Sequence, residues 1–154
     1  MKNFNISTNV YFGENSLGIL DTIQDKHVLI VCDSFMESSG IVDKVKEHLS
    51  ACQVDVFSKV VPDPPIEIVS EGIQCLQSCK ADVMIAVGGG SSIDAAKAIR
   101  GLSRPDATTV PIIALSANAF AEDIQKSKNA GINEHLAKPL EMDKVLKVIA
   151  SYCK

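Results

Sequence analysis

The sequence of 154 residues predicts one α/β domain built on a doubly wound parallel sheet. Short apolar runs alternate along the whole chain with amphipathic segments of helical period. Some runs, such as His27 to Cys32, are apolar throughout, which is typical of strands that helices cover on both faces. No linker, internal repeat or low-complexity segment divides the chain, so we expect residues 1–154 to form a single domain.

The apolar runs predict the strands in order. Phe4 to Ile6 and Val10 to Phe12 alternate as a small amino-terminal β-hairpin would, with Gly13 at its end. The first buried strand is His27 to Cys32. The remaining strands are predicted at Val54 to Val60, Val83 to Val87, Pro111 to Leu115 and Glu134 to Ala137.

Between and after these strands, amphipathic segments supply the helices that a parallel sheet needs for its crossovers. Pro65 stands where a first helical turn accepts proline, and Gly131 stands where a helix would stop. The apolar faces consist of Ile41, Val42, Val45 and Leu49, of Ile66, Val69, Ile73 and Leu76, and of Met142, Val145, Leu146 and Ile149, with another helix at Ala119 to Ala130.

Charge and composition exclude several classes of function. The net charge of −4 gives no electrostatic basis for binding nucleic acid or an anionic membrane. The amino terminus lacks a basic segment followed by an apolar run, and no stretch approaches the roughly 18 apolar residues of a membrane span. We therefore expect a soluble, cytoplasmic protein with no nucleic-acid or membrane partner.

The five cysteines do not indicate a disulfide framework, because their number is odd and they are scattered through apolar stretches. Reduced thiols are the expected state. Cys75 and Cys79 are four residues apart on a predicted helix, a spacing that suits two metal ligands, but no nearby histidine or second cysteine pair completes the set. No metal site is predicted.

The strongest chemical feature is Gly88-Gly89-Gly90-Ser91-Ser92, between a buried strand and a helix. Residues without Cβ let the backbone approach a phosphate, and the free N–H groups of the helix point at it. Two interpretations stay open: a phosphate site, with Asp33 after the first strand as a second ligand-binding group, or a tight turn with Asp33 capping a helix.

Three segments in the first part of the chain, HVLIVCD, PDPPIEIV and ADVMIAVGGGSSIDAAKAI, carry a family resemblance. Residues from about 1 to 99 resemble the amino-terminal, nucleotide-binding half of the iron-containing alcohol dehydrogenases. The pattern GGGSxxDxAK is met by Gly88 to Ser91, Asp94, Ala96 and Lys97. The resemblance implies that this pattern binds the cofactor pyrophosphate and that Asp33 binds the adenine ribose of NAD.

The last part, RPDATTVPIIALSANAFAEDIQKSKNAGINEHLAKPLEMDKVL, looks like the carboxy-terminal half of a response-regulator receiver (CheY-like) domain, over residues from about 100 to 154. Ser116 and Lys138 match the serine and lysine of that pattern. Val87 occupies the position of the phosphate-accepting aspartate, and Asp33 is the single acid left after the first strand. The resemblance therefore implies no phosphorylation.

The two resemblances meet inside one predicted helix, around Ala95 to Arg100, without a linker. We interpret the chain as an engineered chimera, a single flavodoxin-like domain with strand order 2-1-3-4-5 and a ligand crevice at the carboxyl ends of strands one and three. Neither half alone is expected to carry its family's function.

The predicted function is accordingly that of an inert scaffold, not an enzyme, with no cofactor required. The iron-binding helical domain of the dehydrogenases is not expected in this chain, and its three histidines, His27, His48 and His135, form no predicted ligand cluster. Weak binding of NAD or phosphate is predicted at Asp33, Gly88, Gly89, Gly90, Ser91, Asp94, Lys97, Ser116 and Lys138. The alternatives are an NAD-dependent alcohol dehydrogenase fragment and a response-regulator-like phosphorelay domain. A monomer is expected, with a weak dimer through the receiver-like surface from Asn118 to Tyr152 as the alternative.

Overall fold

The computed structural model describes residues 9–11, 13–102, 110–116 and 132–137. The elements are β1 (Asn9–Tyr11), a 3-10 helix (Ser16–Thr22), β2 (His27–Asp33), α1 (Ser34–Ser38), α2 (Ile41–Glu47), β3 (Gln53–Val60), α3 (Ile66–Cys79), β4 (Val83–Gly88), α4 (Gly90–Leu102), β5 (Ile112–Ser116) and β6 (Glu134–Ala137). Within these residues no helix has the length and apolar character needed to cross a membrane. The helices predicted at 119–130 and 142–149 lie outside the described residues.

The six strands form one sheet in the order β1-β6-β5-β4-β2-β3. All paired strands are parallel. The prediction of an α/β fold with a parallel sheet is therefore confirmed. Counted among themselves from the β3 edge, the five strands β2 to β6 lie in the order 2-1-3-4-5.

The first strand lies at one edge of the sheet, where β1 pairs in parallel with β6 and Tyr11 stands opposite Leu136. The second arm of the predicted hairpin, Phe4 to Ile6, lies outside the described residues, so the hairpin stays a prediction. The strand partner observed for β1 is therefore β6, which is distant in sequence.

Two apolar layers cover the sheet because successive side chains of a strand point to opposite faces. Leu29, Met84 and Ile112 lie on the face that α3 and α4 cover, with Val69, Leu76 and Ile99 packed on them. Val28, Ile30 and Ile85 lie on the other face, with Val42, Val45 and Leu49 of the α2 region and Leu20 of the 3-10 helix. All six residues of β4 are buried, as the continuous apolar run predicts for a central strand.

Helix α4, which contains the predicted junction, is continuous and its inner face is fully buried at Ala95, Ala96 and Ile99. At its carboxyl end, Arg100 Nη1 donates at 3.4 Å to both the Val110 carbonyl and Asn133 Oδ1. These contacts connect α4 to the segments that enter β5 and β6.

Candidate functional site

The carboxyl ends of the central strands meet along one edge of the sheet. Cys32 pairs with Val87, and Gly88 pairs with Ser116. Asp33, which follows Cys32, therefore lies beside Gly88. The chain leaves β2 toward β3 on one side of the sheet and leaves β4 toward β5 on the other. The resulting crevice between neighbouring strand ends is where open α/β sheets bind ligands.

Gly88 closes the end of this crevice and cannot be replaced without strain. Its φ of +150° belongs to a region that side-chain-bearing residues rarely adopt. A Cβ at this position would lie 2.5 Å from Ser92 Oγ and 3.6 Å from Asp33 Oδ2. The positive φ and the close approach of the Ser92 side chain therefore favour glycine here, whereas the distance to Asp33 is an ordinary contact.

The next two glycines leave the amino terminus of α4 open. A Cβ at Gly89 or at Gly90 would meet nothing within 4 Å, and both residues are exposed. The helix begins at Gly90 and runs for 13 residues, and the Gly89 carbonyl accepts its hydrogen bond from the Ile93 N–H at 3.3 Å. The first N–H groups of such a helix, together with its dipole, attract an anion.

Asp33 caps α1, because its Oδ1 accepts a hydrogen bond from the Met36 N–H at 2.8 Å. The capping interpretation of this residue is therefore correct. The second carboxylate oxygen, Oδ2, faces the Gly88 turn. The cap thus uses one oxygen, and the predicted ribose contact of the other oxygen stays a prediction.

The other predicted site residues are divided between the turn and its surroundings. Ser91 is half-buried in the first turn of α4, and the backbone of Ser116 lies beside Gly88. Lys97 Nζ forms an ion pair with Asp94 Oδ1 at 2.8 Å. A contact between Lys97 and a phosphate would break this ion pair. Breaking it would cost little, because exposed ion pairs contribute only about 0.2–1 kcal/mol. Lys138 lies outside the described residues.

Ser92 belongs to the glycine and serine motif of the sequence but was not among the predicted binding residues, and the structure adds it to the turn. Its side chain is 1% exposed, and its hydroxyl lies against the Gly88 turn. The motif singled out both serines, but only the structure shows that Ser92, and not Ser91, is the buried one. Ser92 therefore shapes the floor of the turn, whereas Ser91 stands at its partly exposed side.

A cysteine close to the crevice is chemically inert. Burial, followed by the negative charges of Glu37 and Asp33, raises the pKa of the Cys32 thiol to about 11. The thiolate is the nucleophilic form, and almost none of it exists at neutral pH with this pKa. All four cysteines of the described residues are free. Cys32 is therefore not a candidate nucleophile.

Two described histidines each face a carboxylate: His27 Nε2 lies 2.6 Å from Asp55 Oδ2, and His48 Nδ1 lies 2.8 Å from Asp21 Oδ1. Within the described parts of the chain, the group of three close metal-ligating side chains is His27, Asp55 and Cys79. This group lies where β2 begins, at the amino ends of the strands, whereas Gly88 lies at the carboxyl ends. The described residues around Gly88 do not supply a histidine set for iron.

Three curated relatives show what this chain is similar to. The 1-propanol dehydrogenase PduQ of Citrobacter freundii is 43% identical over 105 residues, which are 68% of this chain and 28% of the relative. The NADPH-dependent butanol dehydrogenase of Clostridium saccharobutylicum is 36% identical over 102 residues, 64% of this chain and 26% of the relative. The lactaldehyde reductase of Escherichia coli (strain K12) is 32% identical over 135 residues, 74% of this chain and 35% of the relative. The chain therefore spans about a third or less of the length of these relatives.

Solved structures show the same fold. An iron-containing alcohol dehydrogenase from Thermococcus thioreducens superimposes with a TM-score of 0.73 at 17% identity, covering 87% of this chain and 46% of that one. The NADH-dependent butanol dehydrogenase A of Thermotoga maritima gives a TM-score of 0.70 at 19% identity, covering 90% and 44%. The shared fold thus covers somewhat less than half of each of these chains.

The family model for iron-containing alcohol dehydrogenases matches residues 7–137, which includes the junction predicted near residue 100. The interpretation as an inert engineered chimera is therefore wrong, as is the prediction that the chain is not an enzyme, because its relatives are dehydrogenases and a reductase. The expectation that no cofactor is required is wrong for the same reason, since relatives are named for NADPH and NAD dependence. This chain belongs to the iron-containing alcohol dehydrogenase family.

Proposed function

We propose that this chain is the cofactor-binding part of an alcohol dehydrogenase that transfers a hydride between a small alcohol or aldehyde and a nicotinamide dinucleotide. The observation that carries the proposal is the Gly88 turn. Gly88 adopts a backbone conformation that disfavours any side chain, and after it the amino terminus of α4 lies open at the crevice between β2 and β4. The relatives support the substrate class, since they are named for 1-propanol, butanol and lactaldehyde.

In this proposal the N–H groups at the start of α4 bind the pyrophosphate, with Gly89 and Gly90 leaving room for its oxygens. Each hydrogen bond to a charged group contributes about 1.5–3 kcal/mol. Asp33 Oδ2 accepts a ribose hydroxyl while Oδ1 keeps the cap on α1. The bound dinucleotide would supply the hydride acceptor or donor. The chain's own task is to hold it at the sheet edge.

Gly89→Glu should abolish the binding of NAD or ADP-ribose while the protein stays folded. A side chain at this position meets open space, so the fold tolerates it, but its carboxylate stands where the pyrophosphate would bind. We expect at least about a hundredfold weaker binding, measured by heteronuclear NMR titration. Gly101→Glu is the matched control, because Gly101 is exposed near the other end of the same helix, also in open space. Equal binding by both variants would place the nucleotide elsewhere.

Asp33→Asn should weaken discrimination against NADP. The asparagine oxygen can still accept from the Met36 N–H, so the cap is kept, but the charge that repels a 2′-phosphate is lost. We expect the ratio of the NADP and NAD dissociation constants to fall about tenfold. Asp43→Asn is the control. It removes the same negative charge at an exposed position of α2 and should leave the ratio of dissociation constants unchanged. An unchanged ratio in Asp33→Asn would exclude the ribose contact.

The resemblance of residues from about 100 to 154 to a receiver domain stays a prediction. Residues 138–154, including Lys138, lie outside both the family match and the described residues. The monomeric state also stays a prediction, and light scattering of the purified chain tests it. No observation on the described residues favours phosphorelay chemistry.

A further inference from the structure

The amino edge of the sheet carries a second cluster of reactive side chains, formed by His27, Asp55 and Cys79. His27 Nε2 lies 2.6 Å from Asp55 Oδ2, and one ligand atom from each of the three residues lies within 4.8 Å of the others. Neither the family match nor the names of the relatives assigns these residues a role. The seven residues of β2, which rise about 3.3 Å each, separate this cluster from the Gly88 turn by about 20 Å.

Three different elements hold the cluster. His27 opens β2, and its N–H donates to Asp82 Oδ2 at 2.9 Å while its carbonyl accepts from the Asp82 N–H at 2.8 Å. Asp55 lies opposite Leu29 in the β2–β3 register, so it points to the same face as His27. Cys79 is the last residue of α3, and the Lys80 N–H closes that helix on the Leu76 carbonyl at 3.0 Å. The three side chains are therefore positioned by backbone hydrogen bonds.

The donor set selects the kind of ion. An imidazole nitrogen, a carboxylate oxygen and a thiolate sulfur are the ligands of Zn²⁺ and of chemically similar divalent ions, whereas Mg²⁺ and Ca²⁺ take oxygen alone. Ligand atoms around a tetrahedral ion are about 3.3–3.6 Å apart, given metal–ligand distances of about 2.0–2.3 Å. The His27–Asp55 distance of 2.6 Å is shorter than this range, and all three ligand atoms lie within 4.8 Å of one another, so small side-chain movements would complete the site.

The charges of the cluster also suit a divalent ion. An ion held by the thiolate, the carboxylate and the neutral imidazole would be bound by two negative ligands and one neutral ligand. The His27–Asp55 contact has a counterpart in His48–Asp21 at 2.8 Å, which belongs to no such three-ligand group among the described residues.

We propose that His27, Asp55 and Cys79 bind one Zn²⁺-type divalent ion and so connect β2, β3 and α3. Three protein ligands leave the fourth tetrahedral position for water. The site is separate from the proposed cofactor site, because the cluster lies at the amino ends of the strands and the cofactor site lies at their carboxyl ends. Cys75, one helical turn before Cys79, is not a ligand in this proposal.

The test is titration of the full chain with Co²⁺ alone, followed by displacement with Zn²⁺. We expect one equivalent of Co²⁺ to produce a thiolate-to-cobalt absorption band in the near ultraviolet, which Zn²⁺ abolishes. Cys79→Ser should remove the band, and Asp55→Asn, at an exposed position that does not endanger the fold, should weaken binding at least about tenfold. The controls Cys75→Ser and His48→Gln should bind Co²⁺ as the unmodified chain does.

Any of three results would overturn the proposal. The first is the absence of a thiolate band in the unmodified chain. The second is a band that survives in Cys79→Ser, and the third is a band that disappears in Cys75→Ser; either of these would assign the sulfur ligand differently. Nucleotide binding is measured on the same variants and should be unchanged, so a failure of this site is distinguishable from a failure of the proposed cofactor site.

Discussion

Gly88→Val should lower the free energy of unfolding by about 3–5 kcal/mol and remove nucleotide binding together with it. Two costs add up. The φ of +150° is a region that a β-branched residue does not adopt without strain, and a Cβ would lie 2.5 Å from Ser92 Oγ. Because Ser92 is 1% exposed, it has no space into which to retreat. Urea denaturation followed by circular dichroism measures the effect.

Gly89→Val is the matched control for this change, since a side chain at Gly89 meets nothing within 4 Å. It should cost less than about 1 kcal/mol. In the milder variant Gly88→Ala, the additional change Ser92→Ala removes the nearest atom and should restore part of the lost stability. Equal unfolding free energies for the two valine variants would show that the strain at Gly88 is not what the geometry indicates.

Gly72→Leu should destabilise the fold by about 2–3 kcal/mol. Gly72 is buried in α3, and a Cβ there would overlap the Ile99 side chain of α4 and lie 3.3 Å from Phe57 Cε1. Leucine is the better helix former by somewhat less than the about 0.8–1 kcal/mol that separates glycine from alanine, and the overlap in a filled core costs more than this gain. The net sign is therefore unfavourable, and urea denaturation should show a lower midpoint.

Gly101→Leu is the control for the helix-propensity gain, because Gly101 is exposed in α4 with open space around it. It should leave the unfolding free energy unchanged or slightly raised. Combining Gly72→Leu with Ile99→Ala exchanges volume across the contact between α3 and α4. The double variant should be more stable than the sum of the two single changes predicts. Strict additivity would mean that the two residues do not share the packing site.

Most element positions could be predicted because burial leaves a local pattern. The predicted strand Val83 to Val87 is observed as β4, one residue longer, and His27 to Cys32 is observed as β2, again one residue longer. The two added residues, Gly88 and Asp33, are the ones that form the crevice. Their conformations depend on each other and on Ser92, so a local apolar pattern ends before them.

The interpretation as a chimera failed for a related reason. Two families whose chains both run from a strand through a loop and a helix to the next strand have similar local sequence patterns. Short motifs around Ser116 and Lys138 therefore do not distinguish a fusion of two fragments from one continuous domain. The family match over residues 7–137 extends across the junction predicted near residue 100, which a dehydrogenase fragment ending there would not explain.

The sequence by itself predicted most of the buried strand residues and the turn from strand to helix at Gly88, and hence the α/β class, whereas Ile66, predicted on an apolar helix face, is 63% exposed. These predictions follow from local rules of periodicity and glycine geometry. Only the tertiary structure decided which residues become neighbours. Parallel crossovers bring His27 to Asp55, 28 positions away, and then to Cys79. Strand register and helix packing determine such pairs, and neither can be read from the residue spacing within a single segment.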